Sequence, residues 1–248
     1  MRPQGYLGRL VGLALARQLH MSENPDEWSD DDILAYLSQY GSDQSGNLVM
    51  GEQAMQAWSR ERSRGVEILR SSDTGAAYVQ RAQAALGQGV AGSSAGGEFP
   101  KFTAVRELDG ALTPHVIVKF SGADDSAAVR RWSDLLVCEH LALQALGQVG
   151  GRDVARSRVL QHGGRTFLES ERFDRHGDFG RSPLVTLSSV DAALIGSREA
   201  QWPKVLREPA ARSIFTELIR LGHVDLASRL HSCACPISGW RRRQPQRC

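Results

Sequence analysis

The chain has little with which to reach a membrane, a nucleic acid or an oxidising compartment. Its apolar N-terminal run, Tyr6 to Leu19, contains Arg9 and Arg17 and is too short to cross a bilayer. No signal-like segment opens the sequence, and 4 cysteines in 248 residues are too few for a disulfide scaffold, so a reducing cytoplasm is the expected compartment. A formal net charge of +2 is too small to argue for direct nucleic-acid binding. The basic run Arg241 to Arg243 with Arg247 reads as a solvated tail. Cys233 and Cys235 form a C-x-C pair, but only His231 and the distant Cys248 accompany them, so no metal site is expected there. G-x-x-x-x-G-K-[ST] does not occur, which excludes a P-loop, and there is no internal repeat. What remains is a globular chain of 41% apolar residues and mean hydropathy −0.32, long enough for one large domain or two small ones.

Periodicity gives an α+β order. A helix is expected over 7–21, and a second over about 31–39, capped by Ser29 with Asp30, Asp31 and Asp32 in its first turn. Gly41 to Gly46 reads as a turn cluster and Asn47 to Met50 as a short strand. Helices over 52–70 and 74–86 complete an N-terminal subdomain, 1–90. Strands over 101–107 and 114–120 flank the hairpin signal Asp109-Gly110, followed by a helix over 126–146 and strands near 156–161 and 165–171. Cys138 falls in the apolar stripe of the 126–146 helix and reads as a small core residue. Residues 91–175 would form a second unit ending in a hinge at 171–175. His176 to Pro183 reads as a polar loop, and helices near 190–196 and 209–221 begin a further helical unit, 176–226.

The chemistry concentrates between Ser93 and Lys119. Ala95, Gly96 and Gly97 are small enough for backbone N–H groups to approach an anion. The strand His115 to Phe120 that follows carries Lys119, in a position where kinase-like folds hold nucleotide phosphates. Glu139 lies beside the apolar stripe of the next helix, placed to orient such a lysine. Taken singly, each has a plainer reading: a lysine reaching solvent, a surface glutamate on an amphipathic helix, and exposed charges where the 165–171 strand ends.

Taken in order, these residues resemble the HipA-type toxin serine/threonine kinases of bacterial toxin–antitoxin modules. The resemblance rests on Ser94-Ala95-Gly96-Gly97-Glu98-Phe99-Pro100-Lys101, Lys119-Phe120, Glu139 and Glu171-Arg172-Phe173-Asp174-Arg175, and spans residues 1 to about 225. The opening M-R-P-Q-G-Y-L-G-R-L, W-S-D-D-D-I-L-A-Y-L and G-N-L-V-M-G-E are similar to the YjjJ-like subgroup. The resemblance implies a kinase-like small lobe with an N-terminal helical subdomain and an incomplete helical large lobe. It implies ATP, held by the loop Ser94, Ala95, Gly96 and Gly97 and by Lys119, with Glu139 orienting Lys119 and Glu171 and Phe173 gripping adenine. It implies Asp225 as catalytic base, Ser94 as a site of autophosphorylation, and an antitoxin protein as partner. Mg²⁺ belongs to the family's reaction.

Two departures bear on activity. Phe99 stands where most relatives carry glutamine. After Leu221-Gly222-His223-Val224-Asp225-Leu226, the family's H-x-x-N pattern fails: Ala227-Ser228-Arg229-Leu230 supplies neither residue, and no later metal-binding acid stands in context. Residues 227–248 lose apolar periodicity and read as an aberrant, disordered tail, from a reading-frame change after Asp225 or, alternatively, from divergence. The expectation is an inactive fragment of a kinase toxin; the alternative is a non-catalytic module that binds a nucleotide or a partner.

Overall fold

A computed structural model describes residues 5–88, 99–111, 113–148 and 154–184. Apart from Val154 these lie in one compact unit, Met1–Gln148 with Ala155–Leu184. The architecture is α+β. In chain order the elements are α1 (Gly5–Leu19), α2 (Asp30–Tyr40), α3 (Glu52–Arg64), β1 (Ile68–Leu69), α4 (Thr74–Gln88), β2 (Lys101–Arg106), β3 (His115–Phe120), α5 (Ala127–Gln148), β4 (Ser157–His162), β5 (Arg165–Glu171), β6 (Arg175–His176) and β7 (Gly180–Arg181). Short 3-10 turns precede and follow α2.

The N-terminal helices start and stop where the sequence provides for it. Ser29 closes a capping box on α2: its hydroxyl accepts from Asp32 N–H, and the Asp32 carboxylate accepts from Ser29 N–H. Trp28 and Tyr36 pack with Val11, Leu15 and Leu37 into a small core of their own. α3 stops at Arg64 rather than running to 70, because Gly65 leaves the helix at φ +79°. Ile68 and Leu69 then join the sheet as β1. Asn47 to Met50 forms no strand. Gly51 caps α3 at φ +82°, and a Cβ there would lie 2.7 Å from Ser38 Cα, so only glycine lets α2 and α3 approach this closely.

The five-stranded sheet has the order β1-β2-β3-β5-β4, with β1 parallel to β2 and the other pairs antiparallel. The β2–β3 hairpin turns at Gly110, φ +67°. One face carries Phe102 and Ala104 of β2, Val116, Val118 and Phe120 of β3, and Phe167 of β5. Tyr78, Ala82 and Ala85 of α4 seal this face. Tyr78 meets Phe102 edge-on at 5.3 Å and Phe167 at 5.5 Å, a favourable geometry for ring quadrupoles. α4, grouped by sequence with the N-terminal helices, is therefore the cover of the sheet core.

α5 packs along β5 and β4. It meets the sheet through Leu136, through Ser133 hydrogen-bonded to Thr166, and through His140, whose Nδ1 lies 2.8 Å from Ser157 Oγ. This corrects the reading of its apolar stripe. Of the residues in that stripe only Leu136 is buried; Leu135, Cys138 and Leu141 are exposed, and Cys138 is not a core residue. Polar positions on the helix are spent on the strand edge, which turns the apolar ones outward. His176 to Pro183 is also more ordered than a loop: β6 and β7 pair as a two-residue-deep hairpin. No helix among the described residues is long and apolar enough to cross a membrane.

Candidate functional site

The face of the sheet opposite α4 carries Lys101 and Lys119. Strand alternation sends Val116, Val118 and Phe120 into the core and leaves Ile117 and Lys119 on the other side. The Lys119 Nζ lies 2.5 Å from Glu139 Oε1 and 2.7 Å from Oε2, so the carboxylate accepts from the ammonium through both oxygens. The side chains are 26% and 37% exposed, which puts the pair at the surface rather than in the core. The expected approach of strand lysine and helix glutamate is thus met, with Glu139 still at the surface of α5.

Lys101 stands directly across from Lys119 in the β2–β3 register and is 1% exposed. Sequence reasoning passed over it as a site residue. The signal was present: Lys101 and Lys119 are equidistant from Gly110, so a hairpin turning there pairs them and gives both the same face. Phe99, where the described chain resumes, packs its ring edge-on against Trp132 of α5 at 5.5 Å. That contact fixes the start of β2 against the helix that carries Glu139.

Glu171 and Phe173 sit at the end of β5. Lys119 pairs with Leu168, three residues before Glu171. Glu171 has the strand parity of Phe167 and Glu169, so its side chain belongs to the α4 face, and its N–H donates to Arg156 O at 2.9 Å. Phe173 is 50% exposed. Of the expected site, the structure therefore joins Lys119 to Glu139 and sets Phe173 beyond the strand end. Ser94, Ala95, Gly96, Gly97 and Asp225 lie outside the described residues, as do Cys233, Cys235 and Cys248.

The rest of E-R-F-D-R is not an exposed strand end. Arg172, Asp174 and Arg175 are buried. Arg172 donates to Asp174 at 2.9 and 3.0 Å and to Asp43 at 2.9 Å. Arg175 donates to Asp174 at 2.7 Å, to Asp43 at 2.9 Å and to the carbonyls of Gln44 and Gly46. The Asp174 carboxylate accepts a further bond from Gly46 N–H. Burial pushes the Asp174 carboxyl up, but the Arg172 hydrogen bonds and charge, the Gly46 bond and the Arg175 charge outweigh it and hold it below the ordinary carboxylate value. The motif thus clamps the turn after α2 to the end of β5. No signal within the motif itself points to Asp43, 129 residues away from Arg172.

A second pair lies on the α4 face. Arg106 Nε donates to Glu169 Oε2 at 2.8 Å, Tyr78 OH donates to the same oxygen at 2.6 Å, and Arg106 also donates to Thr74. Burial, then the Glu169 charge and the bond to it, push the Tyr78 phenol far up. Among the described residues no group of three or more His, Cys, Asp or Glu side chains is placed to hold a metal.

Residues 1–59 match the family model of the YjjJ-like toxin middle domain. The chain is 37% identical over 217 residues to Toxin YjjJ of Escherichia coli (strain K12). That alignment takes in 87% of this chain but 48% of the relative, so the chain spans about half the relative's length. No solved structure matches. By sequence the chain is similar to the YjjJ-like toxins over these stretches.

Proposed function

We propose that the described unit is the nucleotide-holding lobe of a HipA-type serine/threonine kinase toxin, and that it binds ATP on the Lys119 face of the sheet. The observation that carries this reading is the partly exposed Lys119–Glu139 pair. A lysine held this way has its position set before the ligand arrives, and it exchanges part of its interaction with the carboxylate for phosphate oxygens. Phe173, exposed past the end of β5, supplies an apolar surface for a base. The loop Ser94 to Gly97 would close over the phosphates, with Ser94 as its autophosphorylation site. Toxin chemistry accords with the relative's name, and an antitoxin protein in the cytoplasm is the corresponding partner.

Phosphoryl transfer is a separate matter. It depends on metal-held phosphates and a positioned nucleophile. Asp225 is the proposed base, but the four residues after Leu226 contain neither the histidine nor the asparagine of the family's loop. We therefore assign this chain nucleotide binding with at most a trace of transfer.

Calorimetric titration of ATP, with and without Mg²⁺, tests the binding reading. Lys119→Met should weaken ATP at least tenfold, about 1.4 kcal/mol, with little Mg²⁺ dependence in the parent chain. Unchanged affinity in Lys119→Met would remove the reading. Incubation with radiolabelled ATP tests the second part: strong labelling abolished by Asp225→Ala would make Asp225 a working base.

A further inference from the structure

A cavity of about 440 Å³ lies where α3, the β2–β3 pair and the β6–β7 hairpin come together. That is the size of a site for a small organic molecule. Neither Lys119 nor Glu139 lines it. Its walls include Trp58 and Phe179, which give it two aromatic surfaces, and Arg181, Arg172, Glu61 and Asp43, which give it charge.

The charges are not equally spent. Arg172 is saturated by Asp43 and Asp174. Arg181 is not. Its Nη2 donates to Ser42 O at 2.7 Å and its guanidinium sits 5.9 Å from the Trp58 ring centre, but its Nη1 is enclosed and has no acceptor among the described residues. A buried charged donor without an acceptor is costly, and such groups are rare unless something completes them. Burial and the neighbouring positive charges of Arg175 and Arg172 pull the Arg181 pKa down, against the attraction of Asp43 and Glu61. Burial and the Asp43 charge push the Glu61 carboxyl up. The cavity thus offers an enclosed cationic donor, Arg181 Nη1, beside the carboxylates of Asp43 and Glu61.

We propose that this cavity binds a small organic monoanion, a carboxylate that accepts from Arg181 Nη1 and lays a flat apolar body against Trp58 and Phe179. A phosphate monoester shares the oxyanion chemistry but carries more charge, and Asp43 and Glu61 disfavour it. The aromatic walls favour a ring over a bare acetate.

The test is calorimetry on the full chain near neutral pH with benzoate, acetate and phenyl phosphate as probes. Benzoate should bind saturably and more tightly than either of the others. Arg181→Met should weaken benzoate at least tenfold, whereas Glu61→Gln, which removes a repelling charge, should tighten it about threefold. Lys119→Met should leave it unchanged, which separates this site from the proposed nucleotide site. No saturation below about 10 mM, preference for phenyl phosphate, wild-type affinity in Arg181→Met, or loss of binding in Lys119→Met would each overturn the assignment. If circular dichroism shows Arg181→Met to be unfolded, Glu61→Gln decides: equal or weaker binding of benzoate overturns it.

Discussion

Two pairs of a basic residue with a glutamate sit on opposite faces of the same sheet, and they are built for different ends. On the α4 face Arg106 and Glu169 are 5% and 1% exposed, and Tyr78 and Thr74 take up their remaining hydrogen-bonding capacity. On the α5 face Lys119 and Glu139 are 26% and 37% exposed, and no other hydrogen bond to Lys119 Nζ or the Glu139 carboxylate is seen among the described residues. The first pair is closed on itself, and desolvation makes every bond in it necessary. The second is open to solvent, gains little from its own attraction, and keeps a cation available to a ligand. Val118 and Lys119 are adjacent in the chain; strand alternation alone sends one to each environment.

The largest effect should come from breaking the closed pair. Glu169→Ala leaves Arg106 buried without its carboxylate and Tyr78 without an acceptor. It should cost about 3–5 kcal/mol of folding stability, read as a fall in the urea midpoint with an unchanged slope. A loss below about 1 kcal/mol would show that the pair is not sealed as the geometry implies.

The comparison also shows what could be read from sequence and what could not. The longer helices and strands were legible because period 3.6 and period 2 are local, whereas the two-residue strands β1, β6 and β7 were not, and the strand expected over Asn47 to Met50 does not form. So was the meeting of Lys119 with Glu139, because a hairpin at Asp109-Gly110 and a single helix fix both positions. Glu169 gave no such signal: within R-T-F-L-E-S-E it looks like the charged end of a strand. Only the tertiary partners Tyr78 and Arg106 make it a core residue. The exposure of Cys138, Leu135 and Leu141 was missed for the same reason, since periodicity finds an apolar face on α5 but not which face the sheet will take. In E-R-F-D-R the position at the end of β5 was legible, whereas the burial of its arginines depends on Asp43, which is far off in sequence.

Glu139→Ala sharpens the comparison from the other side. The open pair should contribute no more than about 1 kcal/mol to folding. Under the proposed function the same change should weaken ATP about tenfold, because Lys119 loses the group that positions it. A variant that loses stability as heavily as Glu169→Ala would erase the distinction between the two faces.

Acid should act on the buried Arg172–Asp174–Arg175 group. Asp174 has a folded pKa held below its ordinary value of 3.8, so the unfolded chain binds its proton more readily. Its stabilising contribution is present above that value and is lost as the pH falls through the lower, folded one. Thermal midpoints measured downward from about pH 5 should therefore drop in the parent chain, and the drop should be shallower in Asp174→Asn. Equal slopes would show that Asp174 titrates alike in the folded and unfolded states.

The smallest effect should come from Phe99, which fastens the start of β2 to the helix of the open pair. Its ring meets Trp132 edge-on at 5.5 Å, and Trp132 is 41% exposed, so the contact is only half shielded from water. Phe99→Gln removes the ring pair. Loss of an edge-on aromatic contact at a partly exposed site should cost about 0.5–1.5 kcal/mol, near the lower end because burial is incomplete. Lys119 and Glu139 are held by β3 and by the body of α5, not by Phe99, so their pairing should survive. Differential scanning calorimetry should show a small fall in midpoint, and ATP affinity should change less than about threefold. A larger loss of ATP binding, with folding nearly intact, would mean that the Phe99–Trp132 contact sets the position of the glycine-rich loop. Phe99 would then be part of the open face's function and not only a fastening between two elements.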